Sequence, residues 1–282
     1  LAYEADLDFE VGIFDRMAQK IPHLVKISPA APGHYPQDLH RAGGVAAVLE
    51  RLNKLGLINA QALTVSAKTM GENISGIQAT DDSVIRTKEN AYSQKGGLKL
   101  VFGNLAPLGA VCKLAAVDPA IHVHRGPARV FDKEEQAVKA IYGGEINKGD
   151  VVVVRYEGPK GGPGMREMLT PTVAIVGTGL GREVGLITDG RFSGATSGAA
   201  IGHISPEAAD GGPLALVEEG DSIFFDIPEG VLTLEVSDEE LAKRRANWKP
   251  PKSGIPPKSY LARYSAMVSS AMEGAVFKIK GD

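Results

Sequence analysis

The chain has 282 residues, with 31 Lys and Arg against 34 Asp and Glu, a formal net charge of -3 and 43% hydrophobic residues. That length buries a sizeable core and suits two domains. The nearly balanced charge leaves no electrostatic footprint for nucleic acid or an anionic membrane, and no apolar run approaches the roughly 20 residues that span a bilayer.

The N-terminal segment LAYEADLDFE has neither a basic n-region nor an apolar h-region, so the chain reads as soluble and unsecreted. It opens on Leu1 rather than methionine, and processing or truncation is expected there. The first 80 or so residues read as mostly helical. A helix is expected through FDRMAQKI before Pro22, and another where Val45, Val48, Leu49 and Leu52 fall at i, i+3, i+4 and i+7, with Gly56 as its stop. Between them PAAPGHYP, Pro29 to Pro36, is a loop by its proline content, and LTVSAKT at 63 to 69 is a candidate strand.

From about residue 84 the pattern changes to short β-branched runs separated by glycine and proline: LKLVFG, VVVVRY, TVAIVG, VGLITD, SIFFDI and VLTLEV. This spacing predicts a sandwich or barrel. Three helices interrupt it: DKEEQAVKAIYGG with Asp132 and Glu135 in capping positions, SDEELAKRRANW with Ser237 and Glu240 as a capping box, and SYLARYSAMVSSA near the C-terminus. The expected organisation is an α/β plus β fold. Residues 1–83 form a mostly helical remainder of an α/β domain, and residues 84–282 a β-barrel domain with peripheral helices.

Two glycine-rich segments invite a nucleotide reading. GTGLGR ends in Arg182 where a dinucleotide fingerprint needs a third glycine, and EVGLITD after it reads as strand, so a β-hairpin turn is expected. GPKGGPG lacks the Gly-Lys-Ser/Thr ending of a phosphate loop. His122 and His124 have the alternate spacing that puts both rings on one strand face, but no third ligand lies near, and the plainer reading is that one of them faces solvent or hydrogen-bonds a neighbouring loop. Cys112, the only cysteine, sits in the apolar run LGAVCKLAAV and is expected to pack as a small hydrophobe. It rules out a disulfide framework and cannot alone hold a zinc or iron-sulfur site.

Two segments carry more chemistry. In RYEGPKGGPGMREML, Glu167 follows a glycine-rich loop after an apolar strand, a position where a carboxylate suits magnesium; a solvated loop glutamate is the alternative. In LITDGRFSGATSG a buried strand ends at Asp189 and Gly190 and lifts Arg191 and Ser193 into a turn closed by Gly194. Such turns expose hydroxyls for chemistry and are also common as plain structure. Residue types alone leave both readings open.

Together GPKGGPGMREML, LITDGRFSGATSG and GHISPEAADGGP resemble the dihydroxy-acid/6-phosphogluconate dehydratase family, its dihydroxy-acid branch in particular. DLHRAGGVAAVLERL, GGLKLVFGNLAPLGAV, HRGPARVFDKEEQAVKAI and LAKRRANWKPP extend the likeness over nearly the whole chain. The resemblance implies an α/β domain followed by a β-barrel, with Glu167 as a magnesium ligand, Ser193 as the proton-accepting catalytic residue, and Arg191 and Gly194 in supporting or substrate-binding places. It implies dehydration of 2,3-dihydroxy-isovalerate and 2,3-dihydroxy-3-methylvalerate to 2-keto acids in isoleucine and valine biosynthesis. Magnesium and an iron-sulfur cluster of the 2Fe-2S type serve as cofactors in such enzymes, which act as homodimers in the bacterial cytoplasm or, in eukaryotes, in an organelle.

The family's cluster cysteines and its other magnesium ligands lie in an N-terminal region that these residues do not include. The chain is therefore expected to be an incomplete, inactive piece without the cluster. A sugar-acid or 6-phosphogluconate dehydratase is the nearest alternative, and a non-catalytic barrel that binds a carboxylate or a partner chain is the alternative of a different class. Neither nucleic acid nor membrane is expected as a partner.

Overall fold

A computed structural model describes residues 1–28, 31–194, 196–252 and 254–278. The chain divides into two compact units, one of Phe14–Gly97 and one of Leu1–Ile13 with Leu98–Asp282.

The N-terminal stretch carries α1 (Gly12–Ala18), α2 (Pro36–Arg41), α3 (Gly44–Lys54) and α4 (Met70–Ile74). Pro36 is not the end of a loop but the first residue of α2, where its missing N–H costs nothing; residues 29 and 30 of the proline-rich segment lie outside the described residues. On α3 the inward face is Ala47 with Val48, packed with Ala42, Val84 and Ile85, whereas Val45 is 65% exposed. The buried stripe is thus rotated from the expected one because alanine, not valine, fits closest to the neighbouring chain. The segment 63–69 is not a strand: a single bridge joins Leu63 to Thr69. Thr69 serves α4 instead, its hydroxyl accepting the Glu72 N–H at 3.2 Å while the Glu72 carboxylate accepts the Thr69 N–H at 2.7 Å.

The larger unit is a closed barrel of β1 (Lys99–Gly103), β2 (Ala106–Cys112), β3 (Val123–Phe131), β4 (Val151–Val154), β5 (Gly185–Thr188), β6 (Ala200–Ser205), β7 (Ser222–Asp226) and β8 (Val231–Leu234), in the order β1-β2-β6-β5-β4-β3-β7-β8. Strands β3, β4, β5 and β6 run parallel; β1–β2, β2–β6, β3–β7 and β7–β8 are antiparallel. Helices α5 (Glu134–Tyr142) and α6 (Leu169–Gly177) make the crossovers from β3 to β4 and from β4 to β5, and they pack on each other. This arrangement explains the run VVVV in β4, buried at every position. Val151 and Val153 join Ile187, Ile201 and Phe225 in one cluster, and Val152 and Val154 join Ala137, Ile141, Ala174 and Ile175 in another. Side chains alternate across a strand, so the first cluster fills the barrel and the second cements the helices to it.

TVAIVG is helical, not a strand. It forms most of α6, with Pro171 in the first turn and Thr172, Ala174 and Ile175 buried. An apolar run of six residues has no periodicity that separates a covered strand from a covered helix, and here the helix faces both the barrel and α5. The Thr172 hydroxyl donates to the Leu169 carbonyl at 2.8 Å and that of the C-cap Thr178 to the Ala174 carbonyl at 3.0 Å, so both β-branched polar residues are satisfied by the helix's own carbonyls. GTGLGR then ends α6 rather than turning a hairpin. The Gly179 N–H donates to Val176 and the Leu180 N–H to Ile175, with Gly179 at φ +82°, the double bond of a left-handed helix stop. β5 follows, so no helix N-terminus faces these glycines.

Helix α5 starts one residue later than its acidic run suggests. Its N-cap is Lys133, with no side-chain cap of its own, while Asp132 pairs with Arg155 at 2.6 Å. Ser237 does cap α7 (Asp238–Asn247), and Arg244 ties that helix to the barrel through Asp221 at 2.6 and 3.1 Å. Helix α8 (Tyr260–Met267) is shorter than expected, and its Ser265 hydroxyl donates to the Lys160 carbonyl at 3.0 Å.

Phe225 fixes the packing inside the barrel. It is fully buried, its ring lies 5.3 Å from that of His124, and a Cβ on Gly185 would come within 2.7 Å of it. Phe225→Ala should destabilise the barrel by about 3–5 kcal/mol, read as a lowered urea midpoint with little change in slope.

Candidate active site at the carboxyl ends of the parallel strands

The loops that follow β4, β5 and β6 are gathered by one side chain. Asp189 ends β5, is fully buried, and accepts backbone N–H groups from Tyr156 (3.1 Å), Glu157 (2.9 Å) and Ala208 (2.9 Å). Burial holds its carboxyl above the usual carboxylate range despite these donors. Two further carboxylates extend the clamp. Glu207 accepts the N–H groups of Lys160 at 2.8 Å and Gly161 at 2.9 Å, and Glu157 accepts the Glu134 N–H at 3.1 Å, capping α5 from a distance. The glycines of GPKGG are needed because these carboxylates lie against the backbone: a Cβ on Gly158 would meet Glu207 and one on Gly162 would meet Glu157, each at 2.7 Å. Amides that a phosphate loop would offer to a ligand are here engaged by the protein itself.

The clamped loops bring the two chemical segments together. Glu167 and Arg191 form a parallel bridge, with the Met168 N–H donating to the Arg191 carbonyl at 2.8 Å and the Arg191 N–H to the Arg166 carbonyl at 3.0 Å. The Ser193 N–H donates to the Glu167 carboxylate at 3.1 Å, so the acid and the serine are direct neighbours although 26 positions apart. Arg191 is steadied by its Nε donating to the Met165 carbonyl at 2.9 Å. Gly194 follows in an exposed turn in which the Thr196 N–H reaches back to the Ser193 carbonyl; residue 195 lies outside the described residues. Backbone strain concentrates here: Tyr156, Met165 and His203 hold φ of +63°, +62° and +58°, conformations that side chains rarely adopt and that surrounding bonds must enforce.

Two residues that the sequence reading passed over complete the site. Lys113, just after β2, has its Nζ shielded from solvent with no hydrogen-bond partner among the described residues. Burial draws its ammonium below the usual lysine range, and the Glu167 charge opposes that. His203, on β6, is shifted down by burial and by the charges of Arg191 and Lys113, which favours its neutral form. Both line a cavity of about 190 Å3 whose other walls include Leu98, Val111, Phe192 and Thr196. The signal for Lys113 was present as a lone cation inside the apolar run GAVCKLAAV. Glu157 and Glu207 had no such signal, because their partners are backbone amides of distant loops.

His122 and His124 do not share a strand face. His122 ends a short 3-10 turn and its Nε2 lies 3.3 Å from the Val117 carbonyl, while His124 on β3 has its Nε2 2.9 Å from that of Gly149. Among the described residues no three His, Cys, Asp or Glu side chains gather as a metal cage. Glu167 is nonetheless a fitting donor for magnesium, which takes one or two carboxylates and completes its shell with water and substrate. An iron-sulfur cluster does not fit these residues: Cys112 is the only cysteine, is buried within the barrel core, and its thiol is pushed up to about 12 by burial, far from the thiolate a cluster needs.

Family models agree with this layout. Residues 83–275 match the dihydroxy-acid/6-phosphogluconate dehydratase C-terminal model, and residues 1–73 match the corresponding N-terminal model. The chain belongs to the dihydroxy-acid/6-phosphogluconate dehydratase family. It is 54% identical over 281 residues to a dihydroxy-acid dehydratase of Caldanaerobacter subterraneus and 56% over 282 to one of Lachnospira eligens, each match covering 100% of this chain and 50% of the relative. Against a dihydroxy-acid dehydratase of Pyrococcus abyssi it is 55% identical over 278 residues, again 50% of that protein. The chain thus spans about half the length of the curated relatives it matches. Among the described residues no helix is long and apolar enough to cross a membrane.

The carboxylate clamp has a pH signature. The Glu207 carboxyl is raised from 4.5 to about 7, first by burial and then by the charges of Asp189 and Asp210, against the two backbone donors. A raised folded value makes the folded state hold a proton that the unfolded chain releases, so this contribution is complete below 4.5 and disappears as pH climbs through about 7. Thermal midpoints should therefore fall between pH 5 and pH 8, by up to about 3 kcal/mol of stability, and Glu207→Gln should flatten that slope.

Proposed function

We propose that this chain supplies the barrel half of a dihydroxy-acid dehydratase, an enzyme that removes water from 2,3-dihydroxy carboxylates such as 2,3-dihydroxy-isovalerate and its 3-methylvalerate homologue. The observation that carries the reading is the Ser193 N–H on the Glu167 carboxylate, which unites the two family motifs at the carboxyl ends of β4 and β5. Loss of the C2 proton and of the C3 hydroxide leaves an enol, which ketonises to the 2-keto acid. A C2 hydrogen next to a carboxylate is very weakly acidic, so the base must act where negative charge is welcome.

Ser193 is assigned the proton from C2. A serine hydroxyl is a poor base in water and becomes effective only where positive charge favours its alkoxide. Arg191, two positions away, and Lys113, in the cavity wall with Phe192, would supply that charge. Glu167 would hold the magnesium, which when bound neutralises charge developing on the substrate oxygens, worth several kcal/mol in the transition state. No step is assigned to Cys112. A full-length form with the family's N-terminal region would have to bring the cluster's thiolates. On the same family grounds we place the enzyme in isoleucine and valine biosynthesis, as a homodimer in the bacterial cytoplasm.

In a full-length enzyme carrying this segment, Ser193→Ala should lower kcat/KM for 2,3-dihydroxy-isovalerate by about 10²–10⁴-fold, the usual worth of a positioned base, with fold and metal content unchanged. Glu167→Gln should instead raise the magnesium concentration needed for half-maximal rate. Near-normal turnover by the serine variant, or turnover of 6-phosphogluconate in place of the branched acids, would overturn the assignment.

A further inference from the structure

We propose that Arg166 is the positioning residue of the proposed magnesium ligand: its guanidinium, spread over the carboxylates of Glu134, Glu135 and Glu157, fixes the short extended segment that presents Glu167. The proposal rests on the reading of Glu167 as the ligand, and on the geometry behind that residue for the rest.

Neighbouring residues of an extended segment point to opposite sides. Glu167 forms an isolated bridge with Arg191, so Arg166 and Glu167 are such neighbours. The Glu167 carboxylate turns to the serine and accepts the Ser193 N–H at 3.1 Å, while the Arg166 side chain runs the other way, to the first turn of α5. There its Nη2 lies 2.9 Å from Glu134 Oε2 and 2.8 Å from Glu135 Oε1, and its Nη1 donates to Glu157 Oε1 at 3.4 Å. The same Glu157 oxygen accepts the Glu134 N–H, the amide that begins α5, so guanidinium and helix start share one buried acceptor. Burial pushes the Glu157 carboxyl up, against that N–H and the charges of Lys133 and Arg166.

A lone bridge restrains this segment less than a barrel strand is restrained by its ladders. The Met168 and Arg191 N–H groups make the bridge bonds, and the Arg166 N–H donates to the Glu157 carbonyl at 3.1 Å. Upstream lies a turn, with Gly164 and Met165 at φ +90° and +62°. Downstream, Met168 is fully buried in the core that α5 and α6 share. Met168 therefore anchors one side of Glu167 and Arg166 the other. A planar fork that meets several acceptors at once fixes direction as well as distance, which the single ammonium of lysine does not. Groups that hold a metal's ligands in place are worth about 10–100-fold in metal affinity.

The test uses a full-length enzyme carrying this segment, with Mn2+ as the probe ion and free Mn2+ counted by electron paramagnetic resonance. Glu167→Gln sets the scale and should weaken Mn2+ binding. Arg166→Met should weaken it by about 10–100-fold with the circular dichroism spectrum unchanged, and Arg166→Lys by less; the magnesium concentration for half-maximal rate should rise in the same order. A folded Arg166→Met that binds Mn2+ as the wild type does overturns the proposal and leaves the guanidinium a structural tie. Should Arg166→Met fail to fold, Arg166→Lys decides, since it keeps a cation among the three acids: weakened Mn2+ binding supports the proposal and wild-type binding overturns it. Unchanged binding in Glu167→Gln would overturn the ligand assignment and this proposal with it. Weakened binding there, with no loss in either arginine variant, would sink this proposal alone.

Discussion

One buried carboxylate organises the reactive end of the barrel. Asp189 sits where β5 stops and accepts three backbone N–H groups, two from the loop after β4 and one from the loop after β6. The geometry of these bonds matters more than their energy. Three loops that would otherwise move independently are held to a single point. The proposed acid and serine hang from these loops: Glu167 follows the first, and Arg191, Ser193 and Gly194 come soon after Asp189.

The clamp also explains the composition around it. Glu207 spends both of its oxygens on backbone amides and Glu157 one of its two, and both carboxylates lie so close to the loop that positions 158 and 162 have no room for a side chain. A glycine-rich loop that resembles a phosphate cradle is thus a support for the chain that leads to Glu167. On the cavity side stand Lys113 and His203, the imidazole drawn below its usual range by burial first and then by the charges of Arg191 and Lys113. The buried acids Asp189, Glu157 and Glu207 thus fix the loops, while Lys113 at the cavity feels the charge of Glu167.

Much of this was legible in the sequence, for reasons that can be named. The barrel strands β4, β5, β7 and β8 showed as short β-branched runs, and the Glu167 and Ser193 segments showed as long motifs. The helix α6 did not, because TVAIVG is apolar on every side and a run covered by barrel and neighbouring helix alike carries no period. GTGLGR was misplaced as a consequence: a glycine that stops a helix and one that turns a hairpin look alike until the preceding element is known. Asp132 was mistaken for a helix cap because the true partner, Glu157, is 23 positions from the amide that it receives. Lys113 is the instructive miss, a cation within an apolar run whose surroundings come from distant segments, Glu167 from the loop after β4 and His203 from β6.

The central claim is that Asp189 holds the three loops as one unit. Hydrogen exchange read by mass spectrometry on Asp189→Ala tests it most directly. Amides of Tyr156, Glu157, Ser193 and Ala208 should lose protection together while those of Val152 and Ile187 in the barrel keep theirs. Loss confined to residues adjoining position 189, with the loops after β4 and β6 still protected, would contradict the account.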